Sequence, residues 1–355
     1  MSSQDAIADK PSLERLHLDQ PGRRRALLSL VIAALLAAGA WFAIGEAASY
    51  PSVLHALGRA NVWWLLLALA GAGLGYVGYG LLYQVFSGLG SGPRPSFRVV
   101  LRLTVGIFGA SVIATSAGRL GAEYWSLRRM REKPAQAWSR VLALNIAAWA
   151  VLSAVAALAA AALLIAASHG APRGVELAWL LLLPACSLPV AWLTSPSRQR
   201  WADDQGGRVR RLAASVIRSL VLLRQAVHAE ATRGRGAAGG LIYWGGELLI
   251  LWGALRAFGV GLNPAALVIG YATGYASTIL PLPAGGAGGV DAASVYALTL
   301  VGVPLSPALL ATLVQRIFSY WLPVLIAGAS WRSIGRLRTD LAAVPRGREV
   351  GEATQ

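Results

Sequence analysis

The sequence predicts an all-α polytopic membrane protein, with about six full transmembrane helices and two opposed re-entrant hairpins in an inverted-repeat arrangement. That expectation rests on how few charges the chain carries, on apolar runs of bilayer length, and on where its basic residues fall. Of 355 residues, 56% are hydrophobic and 14% charged, against about 25% charged in a soluble domain. Too little polar surface remains to cover a water-exposed globule. The apolar residues gather into runs of about 20, the length that crosses a bilayer core.

Six runs are long enough to cross: residues 26–46, 62–86, 140–167, 177–194, 239–259 and 308–331. The chain is polar through Gln20, and Arg23-Arg24-Arg25 then precede an apolar stretch from Ala26 to Ile44. A signal peptide has a shorter leader and a shorter apolar core, so this is read as an uncleaved first span. Residues 1–25 form a cytoplasmic segment, 26–331 the transmembrane domain and 332–355 a basic cytoplasmic tail. The expected location is a bacterial inner membrane, with both termini in the cytoplasm.

Two further apolar segments, 97–121 and 265–303, do not fit single crossings. Arg94 and Arg98 follow the second run, and Arg128, Arg129, Arg131, Lys133 and Arg140 follow the first of these segments. Basic flanks belong on the cytoplasmic side, so this segment is expected to dip in and return. Gly118 and Gly121, with Thr104, Gly106, Gly109, Ser111, Thr115 and Ser116, supply the small residues for its break. The second segment is broken by Pro281, Pro283, Gly285, Gly286, Gly288 and Gly289, because proline removes a helical donor and glycine weakens the helix. It must enter from the opposite side. The order helix, helix, hairpin, helix then occurs twice with reversed orientation, an architecture of transporters.

Lys+Arg 32 against Asp+Glu 16 leaves a net charge of +16, which on a soluble protein suggests nucleic acid. Here the basic residues crowd into loops, so anionic headgroups at the cytoplasmic leaflet are the expected partners. No base-stacking module argues for nucleic acid. The basic segment 195–236 contains Arg208, Arg211 and Arg218, with Leu212, Val216, Leu220, Leu223 and Val227 at helical spacing. It reads either as an amphipathic helix on the inner leaflet or as a cytoplasmic helix packed on the bundle. Cys186 is the sole cysteine, and His17, His55, His169 and His228 lie far apart, so no intrachain disulfide, metal or cofactor is expected.

Gly73-Leu74-Gly75-Tyr76-Val77-Gly78 matches a dinucleotide fingerprint on paper, but that chemistry needs a preceding strand. Inside a membrane helix, glycines instead permit close helix packing. Tryptophans at 63, 64, 125, 138, 179, 201 and 331 fall near expected helix ends, as in an aromatic belt; Trp321 reads as core or cavity wall.

The charges at membrane depth are Arg119, Glu123, Glu247, Asp291 and Arg316. An ionised group at bilayer centre costs at least ~3 kcal/mol, so such groups pair or line a pathway. Two readings stay open. Arg316 pairs with Glu247 or Asp291 to stabilise the bundle, or arginines and carboxylates face a polar recess where Arg119 or Arg316 holds a lipid phosphate.

Ser116-Ala117-Gly118-Arg119-Leu120-Gly121-Ala122-Glu123 before Arg128-Arg129, the Pro281–Gly288 stretch, and Gln315-Arg316-Ile317-Phe318-Ser319-Tyr320-Trp321-Leu322-Pro323 together resemble the lysylphosphatidylglycerol synthase transmembrane region, or flippase-like domain, family. The resemblance covers about 25–331, and a hopanoid-associated branch is compatible with it. Ala122 departs from the family pattern by separating Gly121 from Glu123, and Asp291 stands where many relatives carry Glu. The resemblance implies movement of phospholipids between leaflets. It also implies that aminoacyl transfer belongs to a separate soluble domain, so such transfer is not expected of this chain, in which a short basic tail follows Trp331.

The expectation is therefore a protein that moves, or helps to export, a phospholipid or isoprenoid-derived lipid, without enzymatic activity. Its alternatives are a membrane-embedded glycosyl- or headgroup transferase, with Asp291 as the candidate acid, and a scaffold for lipid-synthesis enzymes. No Walker motif points to direct ATP drive.

Overall fold

The computed structural model describes residues 51, 55, 57–113, 115–166, 170–203, 207–279, 288–329 and 331–345. Within them the regular elements are helices, and five are long and apolar enough to cross a membrane: Trp64–Gly88 (α1), Pro134–Ile165 (α4), Arg173–Leu193 (α5), Thr232–Ala257 within Glu230–Ala257 (α8), and Leu305–Ala329. The last comprises Leu305–Arg316 (α11), a π turn at Ile317–Trp321 and Leu322–Ala329 (α12). Their 21 to 32 residues, at 1.5 Å rise each, span more than the ~30 Å bilayer core. They answer five of the six expected crossings; 26–46 lies outside the described residues.

Between the spans lie two pairs of shorter helices. Phe97–Ile113 (α2) packs on Thr115–Arg129 (α3), and Pro264–Ala276 (α9) packs on Gly289–Leu300 (α10). With 12 to 17 residues each, none reaches across a full bilayer core. The first interruption was expected near Gly118 and Gly121, but both lie inside α3; residue 114, between the two helices, lies outside the described residues. Glycine costs a helix about 1 kcal/mol, whereas unmade backbone hydrogen bonds in an apolar interior cost more, so the helix runs through them. In the second pair, Pro281, Pro283, Gly285 and Gly286 lie outside the described residues. Gly288 starts α10 with a φ of 83°, a conformation that favours glycine.

The two pairs start from opposite ends of the bundle. At one end, buried Arg140 donates to the carbonyls of Phe86 and Leu89 (both 2.9 Å) and pairs with Glu132 at 3.0 Å. It thereby joins the end of α1 to the turn between α3 and α4. Arg94 N donates to Pro345 O at 3.1 Å, and Arg235 reaches Gln84 at 3.4 Å. At the other end, Asn61 N donates to Ala257 O at 2.8 Å, and Asn263 caps α9 by accepting from Ala265 N at 2.8 Å.

α1 and α8 run antiparallel with their backbones in contact. A Cβ at Gly71 would lie 2.6 Å from Gly246 O, one at Gly253 would lie 2.8 Å from Trp64 O, and one at Gly78 would collide with Tyr243 N. The fingerprint-like glycines thus make a packing seam, Gly73 excepted, which faces open space.

The basic segment 195–236 is helical: Pro196–Asp203 (α6), Arg208–His228 (α7) and the start of α8. α7 packs on α4, burying Ala214, Ile217 and Leu220. The apolar stripe read from sequence is therefore split, since Leu212, Val216 and Val227 face outward. Side chains of Arg208 and Arg211 lie outside the described residues, and Arg218 is half-buried. The described part of the C-terminal segment, residues 331–345, packs on the bundle. Trp331–Ala342 (α13) buries Leu337 and Leu341 and ties Asp340 to Arg102 of α2 at 2.9 Å. Trp179, expected in the aromatic belt, is buried and donates to Thr273 Oγ1 at 3.0 Å. Trp321 is exposed rather than core or cavity wall.

If the seam sets the spacing of the bundle, Gly78→Ala destabilises by about 1–3 kcal/mol, whereas Gly73→Ala, meeting nothing within 4 Å, does not. Thermal unfolding in detergent should separate the two variants, and identical midpoints would contradict the seam.

Candidate functional site

All five membrane-depth charges named from sequence meet around one cavity of about 520 Å³, within the range of small-molecule pockets. Arg119, Glu247 and Arg316 line it. Glu123 and Asp291 stand behind the arginines as their partners.

Arg119 and Glu123 are one helical turn apart on α3, so they share a face. Glu123 is fully buried. Its Oε1 accepts from Tyr79 Oη and from Arg119 Nε (3.2 Å), and its Oε2 accepts from Asn145 Nδ2 at 2.8 Å. Asn145 accepts in turn from Arg119 Nη2 at 3.2 Å. The guanidinium lies 4.9 Å over the Tyr79 ring and 5.5 Å from that of Phe108, both favourable cation–π placements. A carboxylate this deeply buried persists only when both oxygens are answered, and here they are.

The second cluster uses α10 and α11. Asp291 Oδ1 accepts from Arg316 Nε, and its Oδ2 accepts from Gly288 N at 3.1 Å, capping the helix. Of the two pairings left open by the sequence, Arg316 therefore takes Asp291. The carboxylate named as the transferase candidate spends both oxygens on structural partners. Arg316 lies 4.3 Å over Tyr320, and its buried Nη2 has no hydrogen-bond partner among the described residues.

Glu247 differs from the other two acids. It accepts from Ser319 Oγ at 2.9 Å and forms no ion pair among the described residues. Its carboxylate faces Gly75 of α1, where absence of a side chain leaves it room. The π turn that carries Ser319 and Tyr320 follows Arg316 directly; such turns occur frequently at functional sites.

The remaining wall combines aromatic rings with aliphatic side chains such as Leu142, Ile146 and Leu251. Trp149 lies 5.0 Å from Tyr275, which stacks on Tyr271 at 5.8 Å, and Tyr243 packs on Tyr79 at 5.5 Å. Sequence reasoning missed these residues, and Asn145 with them. The available signals were a lone amide inside an apolar run, tyrosines at spacings of three and four in α1 and of four in α9, and the Tyr243-Trp244 pair in α8. The cavity can thus offer guanidinium N–H groups to an anion, one unpaired carboxylate and a set of π faces.

Removing Glu123 leaves Arg119 buried without its counter-charge, a loss of about 3–5 kcal/mol. Glu247→Gln removes a charge that has no opposite partner and should leave stability unchanged or higher. Guanidinium or thermal unfolding of both variants checks the contrast, and equal losses would contradict the division of roles.

A family model described as the lysylphosphatidylglycerol synthase TM region matches residues 26–327. Comparison with curated proteins finds no match.

Proposed function

Because the chain belongs to the lysylphosphatidylglycerol synthase transmembrane region family, a multi-pass membrane family of lipid metabolism or transport, we propose that it moves a polar lipid between leaflets through the cavity between its two helix pairs. The observation that carries this reading is the convergence of Arg119 and Arg316, from the two halves of the chain, on one aromatic-walled recess. Each guanidinium is held by its own carboxylate through Nε, and the buried Nη2 of Arg316 has no hydrogen-bond partner among the described residues. A phosphate oxygen supplies what that group lacks, and planar guanidinium is suited to bidentate phosphate binding.

In this reading α2/α3 and α9/α10 are re-entrant hairpins, each too short to cross and each returning to its own end. The end that gathers Arg94, Arg128, Lys133, Arg140 and Arg235 faces the cytoplasm of a bacterial inner membrane, by the positive-inside rule. Both termini then lie in the cytoplasm. Ile279, part of the cavity wall, is 70% exposed, which supports an edge open to lipid where acyl chains stay while the headgroup enters. The exposed Leu212, Val216 and Val227 of α7 then face the inner leaflet, whose anionic headgroups attract the surrounding arginines.

The test is leaflet exchange of fluorescent phosphatidylglycerol in proteoliposomes. Arg316→Met, folded and present at wild-type level, is expected to lose at least tenfold in exchange rate. Arg102→Ala, at a surface ion pair outside the cavity, is expected to keep it. Exchange by R316M at the wild-type rate would reject the proposal and favour a scaffold, for which cavity substitutions are harmless.

A further inference from the structure

The cavity contains two arginines and three carboxylates: Arg119 with Glu123, Arg316 with Asp291, and Glu247 alone. With every group ionised, the empty site carries one surplus negative charge, on Glu247. A phosphodiester bound at the arginines adds a second, inside an apolar bundle where like charges repel strongly and hydration is lost.

No other described group removes that surplus. Tyr76 faces Glu247 from α1, Tyr243 from its own helix, and Tyr271 and Tyr275 from α9. Tyr320 borders it from the π turn. Phenols are neutral at ordinary pH, so these contribute no positive charge. Arg119 and Arg316 act on Glu247 through space, but the Nε of each is already given to its own acid. Ser319 and Gln315 donate hydrogen bonds to it, but both are neutral.

We infer that Glu247 is a proton-exchange site linked to the lipid, taking up a proton when an anionic phosphodiester enters the cavity and releasing it when the lipid leaves. This rests on the reading of the cavity as a phosphate-lipid site and adds to it a coupling of lipid movement to protons. The step balances simply: one proton from water moves to a Glu247 carboxylate oxygen as one negative charge enters, and both leave together. The sign follows from linkage. A group protonated in the complex and ionised without ligand makes binding strong at low pH and weaker as pH rises, by up to about tenfold per pH unit.

The experiment titrates the detergent-purified full chain with phosphatidylglycerol, which has no ammonium group, in a calorimeter. Buffers of different ionisation enthalpy report protons taken up per lipid bound. Wild type is expected to take up close to one proton and to weaken from pH 6 to pH 8. Glu247→Gln should bind without uptake, hold a constant affinity over that range, and bind more tightly than wild type at pH 8. Binding by the wild type without proton uptake would overturn the inference, as would unchanged uptake by E247Q; Glu247→Ala replaces the glutamine variant if that one does not fold. Failure of the wild type to bind the lipid, or equal binding by R316M, would instead overturn the phosphate-lipid reading and the inference with it.

Discussion

Backbone contact between α1 and α8 is the constraint from which the rest of the bundle follows. With glycine at 71, 75 and 78 facing glycine at 239 and 246, and Gly253 against the backbone of Trp64 and Ala68, the two helices approach more closely than any side chain would permit. Lipid offers no hydrophobic drive for such an approach, so van der Waals contact must supply it. The consequence is positional. Tyr79 and Tyr243 are brought to 5.5 Å, Glu247 is set opposite Gly75, and side chains too large for the seam are turned to its flank. There the two short helix pairs close around them and leave the cavity.

A second constraint divides the buried charges by role. Glu123 and Asp291 are almost fully buried and have both oxygens bonded, so they anchor the arginines rather than meet a ligand. The arginines face inward from these anchors with their orientation fixed, which reduces the ordering cost of binding. Glu247 has neutral hydrogen-bond partners, Ser319 and Gln315, and no ion-pair partner among the described residues. The structural and functional readings of intramembrane charge are therefore not rivals here, because they apply to different members of the same group.

Much of this was legible in the sequence, and the exceptions have physical causes. Charges inside apolar runs are costly enough to stand out, so the five that meet at the cavity could be named before their neighbours were known. Pairing was not legible: whether Arg316 goes to Glu247 or Asp291 depends on how helices far apart in sequence are set against each other. Asn145 and Tyr79 went unnoticed because each is tolerated singly in an apolar helix, although both bond Glu123. Gly118 and Gly121 were read as a break because small residues suggest a turn, while the demand for backbone hydrogen bonds in an apolar interior keeps both helical. The C-terminal segment was read by its charge, and the spacing of Leu337 and Leu341, one turn apart on the face that docks, was overlooked.

The two halves of the chain share an order of elements: a span, a pair of short helices, and a span. In each, a buried carboxylate sits on the second short helix and is bonded from the span that follows. Glu123 is met by Asn145 at a separation of 22 residues, and Asp291 by Arg316 at a separation of 25. The contributions of the preceding span differ. In the first half α1 supplies Tyr79, a neutral donor that completes the shell of Glu123, whereas in the second half α8 supplies Glu247, an acid that Asp291 cannot use. The first half thus neutralises itself, while the second retains a carboxylate with no cation of its own. That imbalance makes a nearly repeated architecture chemically one-sided, and it concentrates the cavity's response to charge on a single side chain.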